Sequence, residues 1–210
     1  MKRRLLWTGF GAAVAVAAGA ATWAVVPQQA PASDAKSEQA PRTVLNAHAL
    51  LQAGLLQTQY RDLDGAEATF KRVLEMDPEN KLAWYNVGVV SAQDGRPADA
   101  LKAYDSALEI DPSFTSALFN QAVLLKRNDP DRAITLLKRT VSINPKASTA
   151  YFQLGETLAR KGREGQARDA YRRAVAVDPS LRSEVPKSFQ DFVTPSPSPS
   201  PTSSQAGGTT

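Results

Sequence analysis

Residues 84–112 read WYNVGVVSAQDGRPADALKAYDSALEIDP, and they form two largely apolar segments on either side of a polar break. Ala100 is followed four residues later by Tyr104 and seven residues later by Ala107, which is the spacing of one face of a helix. The break, Asp94-Gly95-Arg96, combines residue types that are typical of turns. The stretch therefore predicts two helices joined by a tight turn.

The same pattern recurs along the chain with a period of 33 or 34 residues. Each period ends in Asp-Pro or Asn-Pro, where we expect the polar residue to cap the next helix and the proline to occupy its first turn. Two positions in each period hold small residues, which would allow the paired helices to approach closely. The recurring prolines are Pro78, Pro112, Pro145 and Pro179, and the small residues are Gly54, Gly88, Ala122 and Gly155, then Ala66, Ala100, Ala133 and Ala167.

This tandem pattern resembles the tetratricopeptide repeat (TPR). The second unit, around Trp84, and the fourth, around Tyr151, match the family pattern closely. The first unit has Leu50 in place of the aromatic residue, and the third has Leu118 there and one residue fewer at its turn. The resemblance implies an all-α TPR solenoid of four helix–turn–helix repeats over 43–179, with repeats at about 47–80, 81–114, 115–147 and 148–181.

Residues 180–193 follow the last repeat and are expected to cap it. Leu181, Val185, Phe189 and Phe192 recur at helical spacing, as in a helix that covers the apolar face of a final unit. Pro186 should break or kink that helix, or start a second short one.

The N-terminal region has the pattern of a membrane-targeting segment. Three cations in residues 2–4 precede 22 uncharged residues, Leu5 to Val26, which would span about 33 Å as a helix. We therefore expect a signal anchor or transmembrane helix over 1–26, with a cytoplasmic N-terminus and an extracytoplasmic TPR domain. The alternative is a signal peptide cleaved at Ala18-Gly19-Ala20, which would make the protein secreted.

Two segments lack the composition of a folded domain. Residues 27–42 are rich in proline and polar side chains and predict a disordered linker. Residues 194–210 alternate serine and proline and then end in small residues, which predicts a disordered tail.

The TPR resemblance also implies where a partner would bind. In TPR solenoids the first helix of each unit lines a concave groove that receives a peptide or another protein. Tyr85, Phe119 and Phe152 occupy one equivalent position and would form an aromatic stripe, although an aromatic residue there is also common in the fold itself. The implied groove residues are Leu51, Leu55, Tyr85, Val89, Gln93, Phe119, Val123, Lys126, Arg127, Phe152, Glu156 and Arg160.

The composition argues against catalysis. The chain has no cysteine and a single histidine, His48, which excludes thiolate metal sites, cysteine nucleophiles and multi-histidine metal sites. No glycine-rich phosphate loop or metal-ligand spacing occurs, so we expect neither enzyme activity nor a cofactor or metal. The acidic pairs Asp62 with Asp64 and Asp129 with Asp131 fall in turns, where helix capping is the ordinary role.

The net charge of +4 hides a polarity along the solenoid. Residues 44–111 carry 11 acidic and 6 basic side chains, whereas residues 112–193 carry 8 acidic and 14 basic ones. This asymmetry favours an acidic partner on the second half, or head-to-tail self-association into a homo-oligomer. The basic residues are too sparse to predict nucleic-acid binding. The sequence thus predicts a non-enzymatic scaffold for a protein or peptide, or alternatively a self-assembling or accessory component of a cell-envelope complex.

Overall fold

The structure is a computed structural model, and it describes residues 33–193 of the 210-residue chain. The predicted anchor over 1–26 and the predicted tail over 194–210 lie outside the described residues. The described part is all helical, and its helices follow one another in antiparallel pairs. The helices are α1 (Ser33–Gln59), α2 (Leu63–Met76), α3 (Lys81–Gln93), α4 (Pro97–Ile110), α5 (Thr115–Leu125), α6 (Pro130–Ile143), α7 (Ser148–Arg160), α8 (Glu164–Val177), a 3₁₀ helix (Pro179–Glu184) and α9 (Lys187–Val193).

Four helix–turn–helix units are formed by α1 with α2, α3 with α4, α5 with α6 and α7 with α8, as the sequence predicts. Each unit also packs on the next, because α2 contacts α3, α4 contacts α5 and α6 contacts α7. The core therefore continues along the stack, and no unit buries its apolar residues alone.

The glycines at the first small position allow the two helices of a unit to touch. A methyl group on Gly88 would lie 2.5 Å from Cε1 of Tyr104, and one on Gly155 would lie 2.8 Å from the ring of Tyr171. Both rings are fully buried, so no space is available for a larger residue. The predicted close approach is confirmed.

The turns within the units depend on a left-handed residue in three cases. Gly95 and Gly162 have φ of +74° and +71°, values that glycine adopts at little cost. Arg61 occupies the same position in the first unit with φ of 64°, although a side chain disfavours this conformation. The third unit has one residue fewer here, and none of its described turn residues has a positive φ.

The turns between units differ from the prediction. Asp77, Asp111 and Asn144 close α2, α4 and α6, and the next helix begins four residues later in each case. The side chain of Asp111 accepts from the backbone N–H of Ser113, two residues on, at 2.9 Å, which fixes a turn and leaves the next helix to begin beyond it. At Asp178 the prediction is confirmed, because Asp178 caps the 3₁₀ helix and Pro179 is its first residue.

Helix α1 begins at Ser33, so the predicted disordered linker over 27–42 is wrong from Ser33 onward. Residues 33–40 read SDAKSEQA, in which Ala, Lys, Glu and Gln all favour a helix. The prediction gave weight to polarity and to the prolines, but a polar segment can extend a helix that is anchored further along. Residues 27–32 lie outside the described part of the chain.

The C-terminal cap is formed by two short helices rather than one. The 3₁₀ helix ends at Glu184, and α9 begins directly after Pro186, in agreement with the predicted break. Val185 and Phe189 are buried against the last unit as expected. Phe192 is 48% exposed, contrary to the prediction, and Val193 is buried in its place, because the break at Pro186 resets the helical phase.

Candidate functional site

The first helices of the units form the inner face of the stack. Helix α1 contacts α3, and α3 contacts α5, whereas the second helices of neighbouring units make no comparable contacts among the described residues. In a curved stack the elements on the inside lie closer together, so α1, α3, α5 and α7 face the concave side. We call their exposed side the concave surface.

Tyr85 joins the second and third units on this surface. Its ring is half-buried against Phe114, with centroids 5.2 Å apart, and against Tyr104 at 5.9 Å. Its hydroxyl oxygen accepts a hydrogen bond from Asn120 Nδ2 at 3.0 Å. Burial raises the pKa of Tyr85, so the hydroxyl stays neutral and its ring is held in one orientation.

Phe119 lies beside an open notch between the third and fourth units. The notch has a volume of about 210 Å³, and hydroxyl and methyl groups surround the partly buried ring. A space of this size accommodates one side chain of a partner. Its lining residues are Thr115, Ser116, Phe119, Thr140, Asn144, Ala147, Thr149 and Ala150.

Phe152 does not continue the predicted aromatic stripe. Its side chain is 8% exposed and meets the ring of Tyr171 edge to face, with centroids 5.5 Å apart. Tyr171 in turn contacts Phe189 of the C-terminal cap. Leu51 is likewise buried, so the stripe is limited to Tyr85 and Phe119.

The predicted cations at the deeper end of the surface are tied to neighbouring residues. Lys126 Nζ donates to Gln153 Oε1 at 2.5 Å and lies 3.4 Å from Glu156 Oε2. Arg160 Nη1 donates to the carbonyl oxygen of Lys126 at 2.8 Å. These bonds connect the third unit to the fourth and fix the positions of both cations.

The remaining predicted residues differ in exposure. Leu55 is 44% exposed, Val89 and Val123 are half-buried, and Gln93 and Arg127 are exposed. The surface thus offers apolar contact at its first half and fixed polar groups at its second. Leu82, 47% exposed, adds to the apolar part and was not predicted.

Sequence reasoning also missed a row of side-chain amides. Asn86, Asn120 and Gln153 hold one equivalent position in three successive units, directly after the predicted aromatic position in the second and third units and after Phe152 in the fourth. Asn120 and Gln153 make the bonds to Tyr85 and Lys126, and Asn86 donates to the carbonyl oxygen of Leu82 at 2.8 Å. The recurrence of an amide at a fixed spacing was the signal that could have revealed them.

Other candidate chemistry is sparse in residues 33–193. His48 is exposed, and Asp62 and Asp129 cap α2 and α6, as predicted for the turn acids. Over the same residues no group of three or more His, Cys, Asp or Glu could hold a metal ion. Between Ser33 and Val193, no helix is both long enough and apolar enough to cross a membrane.

Comparison with known sequences extends the resemblance to named proteins. The protein is 27% identical over 126 residues to the protein O-mannosyl-transferase TMTC3 of Homo sapiens, a match that covers 57% of this chain and 14% of that protein. It is 37% identical over 82 residues to the small glutamine-rich tetratricopeptide repeat-containing protein 2 of Mycosarcoma maydis, covering 39% of this chain and 23% of that protein. The chain therefore spans less than a quarter of the length of either relative.

Comparison with solved structures gives the same fold. YrrB, a TPR protein with an unusual peptide-binding site, superposes with a TM-score of 0.59 at 23% identity, over 71% of this chain and 76% of that one. The tetratricopeptide repeat family model matches residues 47–113 and 123–181, which is more than half of the sequence. TPR domains mediate the binding of proteins or peptides and form a non-catalytic interaction fold. The chain belongs to the tetratricopeptide repeat family.

Proposed function

We propose that the protein is a non-enzymatic scaffold that binds a peptide or protein segment along its concave surface. The notch beside Phe119 takes one apolar side chain of the partner, and the exposed Leu55 and Leu82 contact a second apolar group further along. Lys126 and Arg160, held by their bonds across the units, orient polar groups of the partner at the other end.

The observation that carries this proposal is the row of cross-unit bonds on the concave surface. Tyr85 with Asn120 joins the second unit to the third, and Lys126 with Gln153 joins the third to the fourth. Because these bonds hold the side chains before a partner arrives, less conformational entropy is lost on binding. The peptide-binding site of YrrB, a protein of the same fold, supports a peptide as the class of ligand.

We further propose that the scaffold works on the extracytoplasmic side, attached to the membrane through residues 1–26. The support is the sequence alone: three cations precede 22 uncharged residues, as in a signal anchor. The described solenoid begins at Ser33, six residues after Val26, so an anchored chain would hold the first unit close to the membrane surface.

Binding can be tested with a random linear peptide library displayed on phage and selected against the full chain. Selected peptides should lose about tenfold or more in affinity for the Phe119→Ala variant, because an apolar side chain would lose its site in the notch. Lys138→Ala, an exposed change on α6, is the matched control and should leave affinity unchanged. Equal losses in both variants, or no selectable peptide, would contradict the proposal.

The membrane topology can be tested separately because the chain has no cysteine. A thiol introduced by Ser142→Cys, at an exposed site, should react with a membrane-impermeant maleimide in intact cells. A thiol introduced by Lys2→Cys should react only after the cells are permeabilised. The reverse order of labelling would refute the extracytoplasmic placement and leave the peptide-binding result unaffected.

A further inference from the structure

The outer face of α1, the side that points away from the rest of the stack, is apolar and uncovered by any described residue. Ala49, Ala53 and Leu56 are exposed on it, Leu56 to 54%. The residues at the same positions in the second unit, 34 residues later, are buried against Phe70 and Val73 of the preceding unit. Those residues are Ala83 at 0%, Val87 at 7% and Val90 at 0%.

Helix α1 has the composition of an interior helix although it ends the described stack. Residues 43–60, TVLNAHALLQAGLLQTQY, contain no Asp, Glu, Lys or Arg. Helix α5 is also uncharged, but it has α4 on one side and α6 with α7 beyond it on the other. The terminal unit of a repeat array normally needs a polar outer face, so the face of α1 is suited to contact with another surface.

The opposite end of the stack is closed. Val185, Phe189 and Val193, from the 3₁₀ helix junction and α9, are buried against α8 and cover the apolar side of the last unit. A second copy that approached head to tail would meet this cap instead of a bare second helix. The head-to-tail association that the charge asymmetry suggests is therefore blocked at the C-terminal end, and the free end is left to pair with its own kind.

We propose that the outer face of α1 pairs with the same face of a second copy of this chain, related by a two-fold axis. A face without charges meets its own copy without like-charge repulsion, and a contact of this symmetry closes at two copies. Ala49 and Ala53 lie one helical turn apart, and their small side chains allow two helices to approach closely.

The size of the face indicates a weak dimer. Helix α1 has 27 residues, which corresponds to a length of about 40 Å and, at a width of about 10 Å, a footprint of about 400 Å² per copy. Interfaces of this size belong with weak and transient complexes. Attachment of both copies to one membrane, as proposed above, would raise their effective concentration, but the pairing itself does not depend on what the concave surface binds.

The pairing can be tested with single introduced thiols, since the natural chain has none. In the full chain, Ala49→Cys, Ala53→Cys and Leu56→Cys are treated in turn with a short bis-maleimide, and at least one should be cross-linked to a dimer. Ala98→Cys, on the exposed side of α4, is the matched control and should stay monomeric. Cross-linking at none of the three positions, or equally at position 98, would overturn the proposal.

A charge placed on the face should separate the copies. Ala53→Glu should reduce the sedimenting mass of the full chain from dimer to monomer at unchanged helicity, whereas Ala98→Glu should leave it a dimer. Added salt should not dissociate the natural dimer, because no ion pair holds it. A mass that is insensitive to Ala53→Glu would overturn the proposal.

Two other coverings of the face are separate outcomes. A monomer in which the thiol at position 53 is protected from maleimide would mean that residues of the same chain cover α1. Quenching of a fluorophore at position 53 by brominated lipid, without cross-linking, would mean that α1 lies on the bilayer. Either result would overturn the pairing.

Discussion

The second and third units have the same fold and close the gap between their helices in different ways. The second uses Gly88 against the large ring of Tyr104, and the third uses Ala122 at the glycine position and Leu137 at the tyrosine position. A methyl group is gained on one helix and a ring is lost from the other. The comparison shows that the helix spacing is conserved by a pair of residues and not by either residue alone.

The two units also differ at their turns and ends. Gly95 adopts a left-handed conformation in the second unit, whereas the third dispenses with that residue. The second unit ends at the ionised Asp111 and the third at the uncharged Asn144. Each difference can be reversed by a single substitution, and the expected effects decrease in the order given below.

The largest effect is expected from Gly88→Ala. The new methyl group would lie 2.5 Å from Cε1 of the buried Tyr104, and this overpacking should lower the free energy of unfolding by about 2 kcal/mol. The measurement is urea denaturation of the full chain followed by circular dichroism.

The matched variants for Gly88→Ala come from the third unit. Ala122→Gly should cost only about 1 kcal/mol, the usual penalty for glycine within a helix. In the Gly88→Ala background, Tyr104→Leu copies the Ala–Leu pair and should restore part of the lost stability. If the two changes were simply additive, the pairing that we infer between these positions would be wrong.

An intermediate effect of opposite signs is expected at the turns. Gly95→Ala should destabilise the protein by about 1 kcal/mol, because the side chain disfavours φ of +74° even though no atom lies within 4 Å of it. Arg61→Gly should stabilise the first unit by about 0.5 kcal/mol, because it relieves the same strain at φ of 64°. Thermal unfolding of both variants tests the pair, and shifts in the same direction would contradict the turn assignment.

The smallest effect is a pH dependence at the ends of the units. Hydrogen bonds from Lys81 Nζ, at 2.6 Å, and from Ser113 lower the pKa of Asp111 from 3.8 to about 2. Because the folded-state pKa is depressed, the stabilisation is present above the usual pKa and is lost as the pH falls from about 4 towards 2.

Asp111→Asn should therefore flatten part of the loss of stability between about pH 4 and pH 2. Asn144→Ser, at the equivalent position of the third unit, is the control and should leave the slope unchanged. The readout is the urea midpoint measured against pH, and an unaltered slope in Asp111→Asn would contradict the role of this carboxylate.

The sequence predicted the repeats because their evidence is periodic. Gly54, Gly88 and Gly155 recur in phase with large residues on the partner helix, and any alignment of the chain on itself reveals them. The turns within units were also predictable, since glycine and polar residues recur there. Both are local consequences of sequence spacing.

The concave surface was predicted less well because its exposure depends on neighbouring units. Phe152 has the same position in its unit as Phe119, but the C-terminal cap adds Phe189 behind Tyr171 and the Phe152 ring is buried there. Gln121 shows the same limit, because it is polar at a core position and its amide donates to Asp105 Oδ1 of the preceding unit at 2.5 Å. A single unit's sequence does not contain this information.

The junctions between units carry ion pairs of their own. Glu67 with Arg96, Asp105 with Arg132, and Asp131 with Lys161 and Arg163 each join the second helix of one unit to the next unit. Exposed pairs of this kind contribute about 0.2–1 kcal/mol and are screened by salt. The apolar core holds the units together, so screening would leave them folded and soften the joints between them. The solenoid is in this sense a spring whose bending stiffness is set by the ionic strength around it.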